Sequence, residues 1–163
     1  MKEESRSRKN LRMPHYNYSN TGYYFITICV KNRKKLLSKI IITTQNNNIK
    51  LELLPYGKIA DRIIKNTNNV YDYAKIYDYV IMPNHIHFIC EITKNINNDC
   101  SPQNATIPNI VGALKKLINK ECKEKIWQRN YYEHIIRNEK EYLKILQYIY
   151  DNPYRWGQDL YYI

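Results

Sequence analysis

Hydrophobic positions along the chain alternate between strand-like runs and helical spacing. Tyr23-Tyr24-Phe25-Ile26-Thr27-Ile28-Cys29-Val30 is rich in aromatic and β-branched residues and predicts a strand. Turn-like Asn20-Thr21-Gly22 precedes it, and a basic loop, Lys31 to Lys35, follows. Ile40 to Thr44 and Ile49 to Leu53 predict a hairpin around Gln45-Asn46-Asn47-Asn48. Pro55 to Asn69 predicts a helix with a stripe of Ile59, Ile63 and Ile64, and Asn66 to Asn69 reads as its stop. Ala74 to Met82 and His85 to Ile92 predict two strands around the turn signal Pro83-Asn84. Residues 93–106 are polar and Asn-rich and read as a loop. Ile107 to Lys123 predicts a second helix, with Ile110, Val111, Leu114, Leu117 and Ile118 on one face and Lys115, Lys116 and Lys120 on the other. Tyr131 to Ile136 predicts another strand. Asn138 is a fitting N-cap for a last helix, Glu139 to about Asp151, which Asn152-Pro153 ends.

Without the hairpin and the last helix, the order is βαββαβ. This predicts an α+β fold, a ferredoxin-like antiparallel sheet with helices on one face, plus an additional C-terminal helix. In that last helix Leu143, Leu146, Ile149 and Tyr150 form the apolar side expected to pack on the domain. Residues 1–15, with Arg6, Arg8, Lys9 and Arg12, read as a basic arm, and 16–163 as one domain.

The 163 residues carry a formal net charge of +11, which points to a polyanionic partner, nucleic acid before an anionic membrane. Arg6, Arg8, Lys9, Arg12, Lys115 and Lys116 are candidate phosphate contacts, against a solvated tail and a solvated helix face. Seventeen tyrosines stand against two phenylalanines. Tyrosine can stack on bases, but abundant Asn, Ile and Lys suggest an AT-biased genome as the larger cause. None of the cysteines forms a Cys-x-x-Cys pair, so a zinc ribbon is not expected. With no signal-peptide pattern and no run of spanning length, the expectation is a cytoplasmic protein without a membrane.

The candidate chemistry starts at His85-Ile86-His87. Side chains at i and i+2 on a strand share a face, so both imidazoles project together and can hold a divalent metal. On the last helix Tyr148 and Asn152 are four apart and share a face. The Asn152 amide oxygen can be the third ligand, although Asn also caps helix ends. Such a neutral partial shell suits Mg²⁺ or Mn²⁺ with positions left for water and phosphate. Tyr148 would then attack phosphorus and form a covalent 5′-phosphotyrosine, splitting one cleavage into two transesterifications. With an intrinsic pKa of about 10, its hydroxyl needs help from metal or a nearby base. Tyr142 is six residues earlier on the helix, and Tyr150 lies about 160° around it. His134 is a candidate for DNA or the site, or a structural histidine at a strand end.

These residues carry a resemblance. Met82-Pro83-Asn84-His85-Ile86-His87, followed far downstream by Tyr148-Ile149 and Asn152-Pro153, is similar to the HUH single-tyrosine transposases, and most to their REP-associated branch. Tyr16-Asn17-Tyr18-Ser19, Gly22 to Cys29 and Trp127 to Arg137 extend the resemblance over nearly the whole chain. It implies a ferredoxin-like HUH nuclease core that cuts and rejoins single-stranded DNA at hairpin-bearing ends. It implies His85 and His87 as metal ligands, Tyr148 as nucleophile, and Asn152 completing the metal site. Monomer and homodimer are both open. The competing expectation is a domesticated module that grips hairpin DNA or RNA without cutting.

Overall fold

Tyr24, Ile26 and Ile28 are wholly buried, and their neighbours Phe25 and Thr27 nearly so. A strand buried on both faces must lie inside a sheet covered on both sides. In the computed structural model, which describes residues 17–43, 48–95 and 106–158, this strand is β1, Gly22–Cys29. It is followed by β2 (Ser38–Thr43), β3 (Asn48–Leu53), α1 (Pro55–Val70), β4 (Ala74–Ile81) and β5 (His85–Ile92). Then come α2 (Thr106–Cys122), β6 (Tyr132–Ile136) and α3 (Glu139–Asp151).

The main sheet runs β4-β5-β1-β6, all antiparallel, and β2 and β3 form a separate hairpin. With the hairpin set aside, this is the expected ferredoxin-like order, with α3 as the additional helix. Residues 44–47, the expected hairpin turn, lie outside the described residues, as do the basic arm with Arg6, Arg8, Lys9 and Arg12, and residues 96–105.

The two faces of the sheet are covered unequally. Ile26, Ile28, Ile86, Phe88 and Ile92 face α1 and α2 in the large core cluster. The opposite face packs a smaller cluster of Phe25, Ile89 and Ile136 against Ile149 of α3. The histidines of β5 lie on this second face, because His85, His87 and Ile89 share one parity of the strand.

Three details differ from expectation. First, α1 continues through Asn66–Asn69 to Val70, because the Asn68 side chain both donates to Ile76 O and accepts from Ile76 N, at 2.8 and 2.7 Å. That pairing sits beside the register shift of β4 between Ile76 and Tyr79. Second, Leu117 is exposed, and the buried stripe of α2 instead includes Ile107 and Cys122. Third, Leu143 and Tyr150 of α3 are exposed, and Tyr142, Ile145 and Leu146 pack beside Ile149. Among the described residues no helix is long and apolar enough to cross a membrane.

Candidate active site

His85 and His87 are buried side by side on β5, with ring centroids 4.4 Å apart. Each is oriented by a neighbour. Asn84 Oδ1 lies 2.9 Å from His85 Nδ1, and an amide oxygen can only accept, so Nδ1 carries the proton and Nε2 keeps its lone pair. Asn84 is itself fixed. Its carbonyl accepts from Val30 N and its amide donates to Arg33 O. The Met82-Pro83-Asn84 turn is tied further through Pro83 O to Leu37 N and through Met82 N to His85 O. Its residues therefore aim a histidine and also reverse the chain.

Thr27, opposite His87 in the β1–β5 register, places Oγ1 2.7 Å from His87 Nδ1. With Nδ1 protonated, as in His85, His87 donates to Thr27 and accepts the Tyr148 hydroxyl at Nε2, 3.2 Å away. Phe25 lies against this group, stacked on His87 at 5.2 Å and edge-on to Tyr148 at 6.1 Å. Burial first, and then the Arg33 charge, push His85 down to about 3. Burial and the neighbouring His85 hold His87 well below the usual histidine range. Both rings are therefore neutral near pH 7, as metal ligands must be.

The last helix brings the other candidates. Tyr148 of α3 contacts His87 at 5.2 Å between centroids, and Trp156, just past the helix, contacts His85 at 5.9 Å. Asn152, the C-cap between them in sequence, is buried, and its Oδ1 has no hydrogen-bond partner. A buried amide oxygen without a donor is costly unless something else meets it. Among the described residues no group of three His, Cys, Asp or Glu exists to hold a metal. The two neutral imidazoles of this face, together with the buried amide oxygen at the end of the helix that covers it, are donor types that fit a hard divalent cation keeping water and phosphate ligands.

α3 is held at this angle by polar ties. Asn138 caps it by accepting from Glu141 N, and Glu141 accepts from Arg137 N and lies 2.7 Å from His134 Nε2. His134 thus ties β6 to the start of α3. Asp78 of β4 accepts from both Tyr142 and Tyr150, each at 3.0 Å. Burial and then this bond push Tyr142 up to about 12, and the bond to Asp78 raises Tyr150 as well. Both tyrosines keep their protons and serve as docking groups on either side of Tyr148. Lys115 donates to the carbonyls of Gln128, Arg129 and Asn130 and lies over the Tyr131 ring. It clamps a loop, whereas Lys116 is exposed.

Sequence reasoning gave no role to Thr27, Asp78 or Trp156, and read Asn84 as a turn residue without its bond to His85. Thr27 and Asp78 did carry a signal, as polar residues inside strand-forming runs.

No family model matches the chain. An uncharacterised protein of Haemophilus influenzae is 37% identical over 174 residues, which span 96% of this chain and 93% of that protein. Among solved structures, a REP-associated tyrosine transposase bound to a REP hairpin has the same fold, with a TM-score of 0.60 at 24% identity over 91% of this chain and 75% of that one. The REP-associated tyrosine transposase of Escherichia coli K12 is 30% identical over 141 residues, spanning 86% of this chain and 71% of that protein. With that identity carried across most of both chains, this chain belongs to the REP-associated tyrosine transposases.

Proposed function

We propose that this protein is a metal-dependent single-stranded DNA endonuclease and strand transferase that cuts and rejoins DNA through Tyr148. The observation that carries the reading is the Tyr148 hydroxyl 3.2 Å from Nε2 of a buried, neutral His87, which is itself packed on His85. His85, His87 and Asn152 would hold the cation, Mg²⁺ or Mn²⁺. When bound, it supplies Lewis-acid stabilisation of charge on the phosphate oxygens.

The remaining work belongs to the side chains. Tyr148 is partly exposed, so its oxygen can meet a phosphodiester while its ring stays braced on Phe25 and His87. Attack on phosphorus forms a Tyr148–phosphate bond and releases a 3′-hydroxyl. Attack by another 3′-hydroxyl reverses the exchange and rejoins DNA without outside energy. Asn84 fixes the tautomer of His85, and Thr27 holds the His87 ring in place. The helix cap and the Asp78 ties hold the nucleophile over them, which lowers the entropy to be lost on reaction. The substrate we assign is single-stranded DNA with hairpins of the REP type, in line with the hairpin held by the solved relative.

The test is a denaturing gel for a protein–DNA adduct. Wild type and Tyr148→Phe are mixed with single-stranded DNA from the flanks of the gene, with Mg²⁺ or Mn²⁺. An adduct in wild type alone supports the reading. An adduct in both moves the nucleophile to another tyrosine. Binding without an adduct in either leaves a hairpin-gripping module in its place.

A further inference from the structure

Beside the histidine pair lies a basic cleft that the chemistry above does not use. We infer that this cleft, between Lys31–Arg33 and Lys125–Arg129, is the track along which the phosphate backbone of the single strand runs to the His85–His87 site. The inference rests on the nuclease reading and adds the path of its substrate.

The position follows from the register. Cys29, the last residue of β1, is paired with His85, so the chain leaving β1 begins at the site's end of the sheet. Val30 then bridges to Trp127, Lys31 N donates to Ile126 O, and Gln128 N donates to Cys29 O. The two walls are thus stitched together by backbone bonds before any ligand arrives. Lys115 adds a third restraint by holding three carbonyls of the second wall. Arg33 joins the cleft to the metal face directly, since its carbonyl accepts from the same Asn84 that orients His85.

The chemistry of the walls favours a polyanion. Lys31, Arg33, Lys125 and Arg129 line the cleft together with Asn32, Trp127 and Gln128, and no carboxylate lines it. Its volume of about 710 Å³ suits an extended ligand and is too large for a lone ion. Asn32 and Arg33 both have φ in the left-handed region, 55° and 51°, a strained arrangement that persists only where surrounding bonds impose it. Four cations on two walls joined by backbone bonds, with no carboxylate between them, fit the evenly spaced charges of a nucleic-acid backbone better than an acidic peptide, whose carboxylates are spaced less regularly.

The test uses the full chain in a Tyr148→Phe background, so that binding is read without cleavage. Lys125 and Arg129 are exposed, and neutral replacements there leave the core alone. Binding of a fluorescent single-stranded DNA is followed against salt for Lys125→Gln/Arg129→Gln and for a control pair on α3, Lys140→Gln/Lys144→Gln. Each lost phosphate contact removes about 0.7 from the log–log slope, so the cleft pair should lose about 1.4 and bind about 25-fold more weakly at about 0.1 M salt. The control pair should keep its slope. An unchanged slope in the cleft pair overturns the track, as does an equal loss in both pairs, which would signal bulk charge alone. The adduct gel separates the two readings. If wild type forms an adduct and the cleft pair binds normally, the track fails and the nuclease stands. If no adduct forms but the slope still falls, the nuclease fails and the cleft remains a nucleic-acid surface.

Discussion

In the His87 tautomer with the proton on Nδ1, the Tyr148 hydroxyl donates to Nε2, and that nitrogen has a single lone pair to give. A cation bound at Nε2 must therefore displace the hydroxyl first. Tyr148→Phe removes the competitor, keeps the ring against Phe25, and leaves a buried nitrogen in need of a partner. The bond is neutral and, at 3.2 Å with Tyr148 37% exposed, belongs in the lower part of the usual range, about 0.5–1 kcal/mol. Relief of that competition predicts Mn²⁺ binding about two- to fivefold tighter in the variant, from exp(ΔG/RT). The assay is the paramagnetic resonance of free Mn²⁺ during titration of each protein without DNA. Tenfold weaker binding in the variant would refute the reasoning and make the Tyr148 oxygen a ligand. Equal binding would show that the hydroxyl does not guard His87. Absence of binding in both proteins would remove the donor set as a cation site.

Other outcomes follow from the same geometry. Tyr142→Phe should cost about 1 kcal/mol in urea unfolding and Tyr150→Phe, more exposed, less than half of that. Both costs should vanish in an Asp78→Ala background, and costs that persist there would exclude Asp78 as the shared anchor. Acid should destabilise the metal-free protein through the histidines. Their folded pKa values lie below the unfolded value, with His85 at about 3, so their contribution is complete above about pH 6.5 and is lost as pH falls. The slope should reach about 1.4 kcal/mol per pH unit for each histidine, before carboxylates begin to titrate. A flat stability profile between about pH 6.5 and 5 would contradict the burial of both rings.

Much of the core was legible because its signals are local. The aromatic and β-branched runs of β1 and β5, the Pro83-Asn84 turn and the Asn138 cap each announce themselves within a few residues. The errors came where distant partners decide. Asn66–Asn69 looked like a helix stop because asparagine is a poor helix former, yet Asn68 is held by Ile76 of the next strand. Tyr150 was counted as apolar, but its hydroxyl reaches Asp78, so the ring stays at the surface. Leu143 shared that face and went with it. His85, His87, Tyr148 and Asn152 were chosen as candidates by their spacing, and the structure brings Tyr148 onto the histidine pair with Asn152 buried at the end of the same helix. Thr27 could not be given its role in advance, because periodicity assigns a face but no cross-strand partner.

The unequal covering of the sheet has a consequence for motion. The strand that bears the histidines is locked between two neighbours and backed by the large core, while α3 rests on a handful of apolar side chains and on hydrogen bonds near solvent. Opening free energies follow such differences. Amide hydrogens of α3 should exchange through a sub-global event that leaves β1 and β5 protected. The proposed nucleophile thus rides on the element most easily lifted, above a fixed floor that carries the histidine pair. A strand end covalently joined to Tyr148 could swing away and return without the sheet ever coming apart.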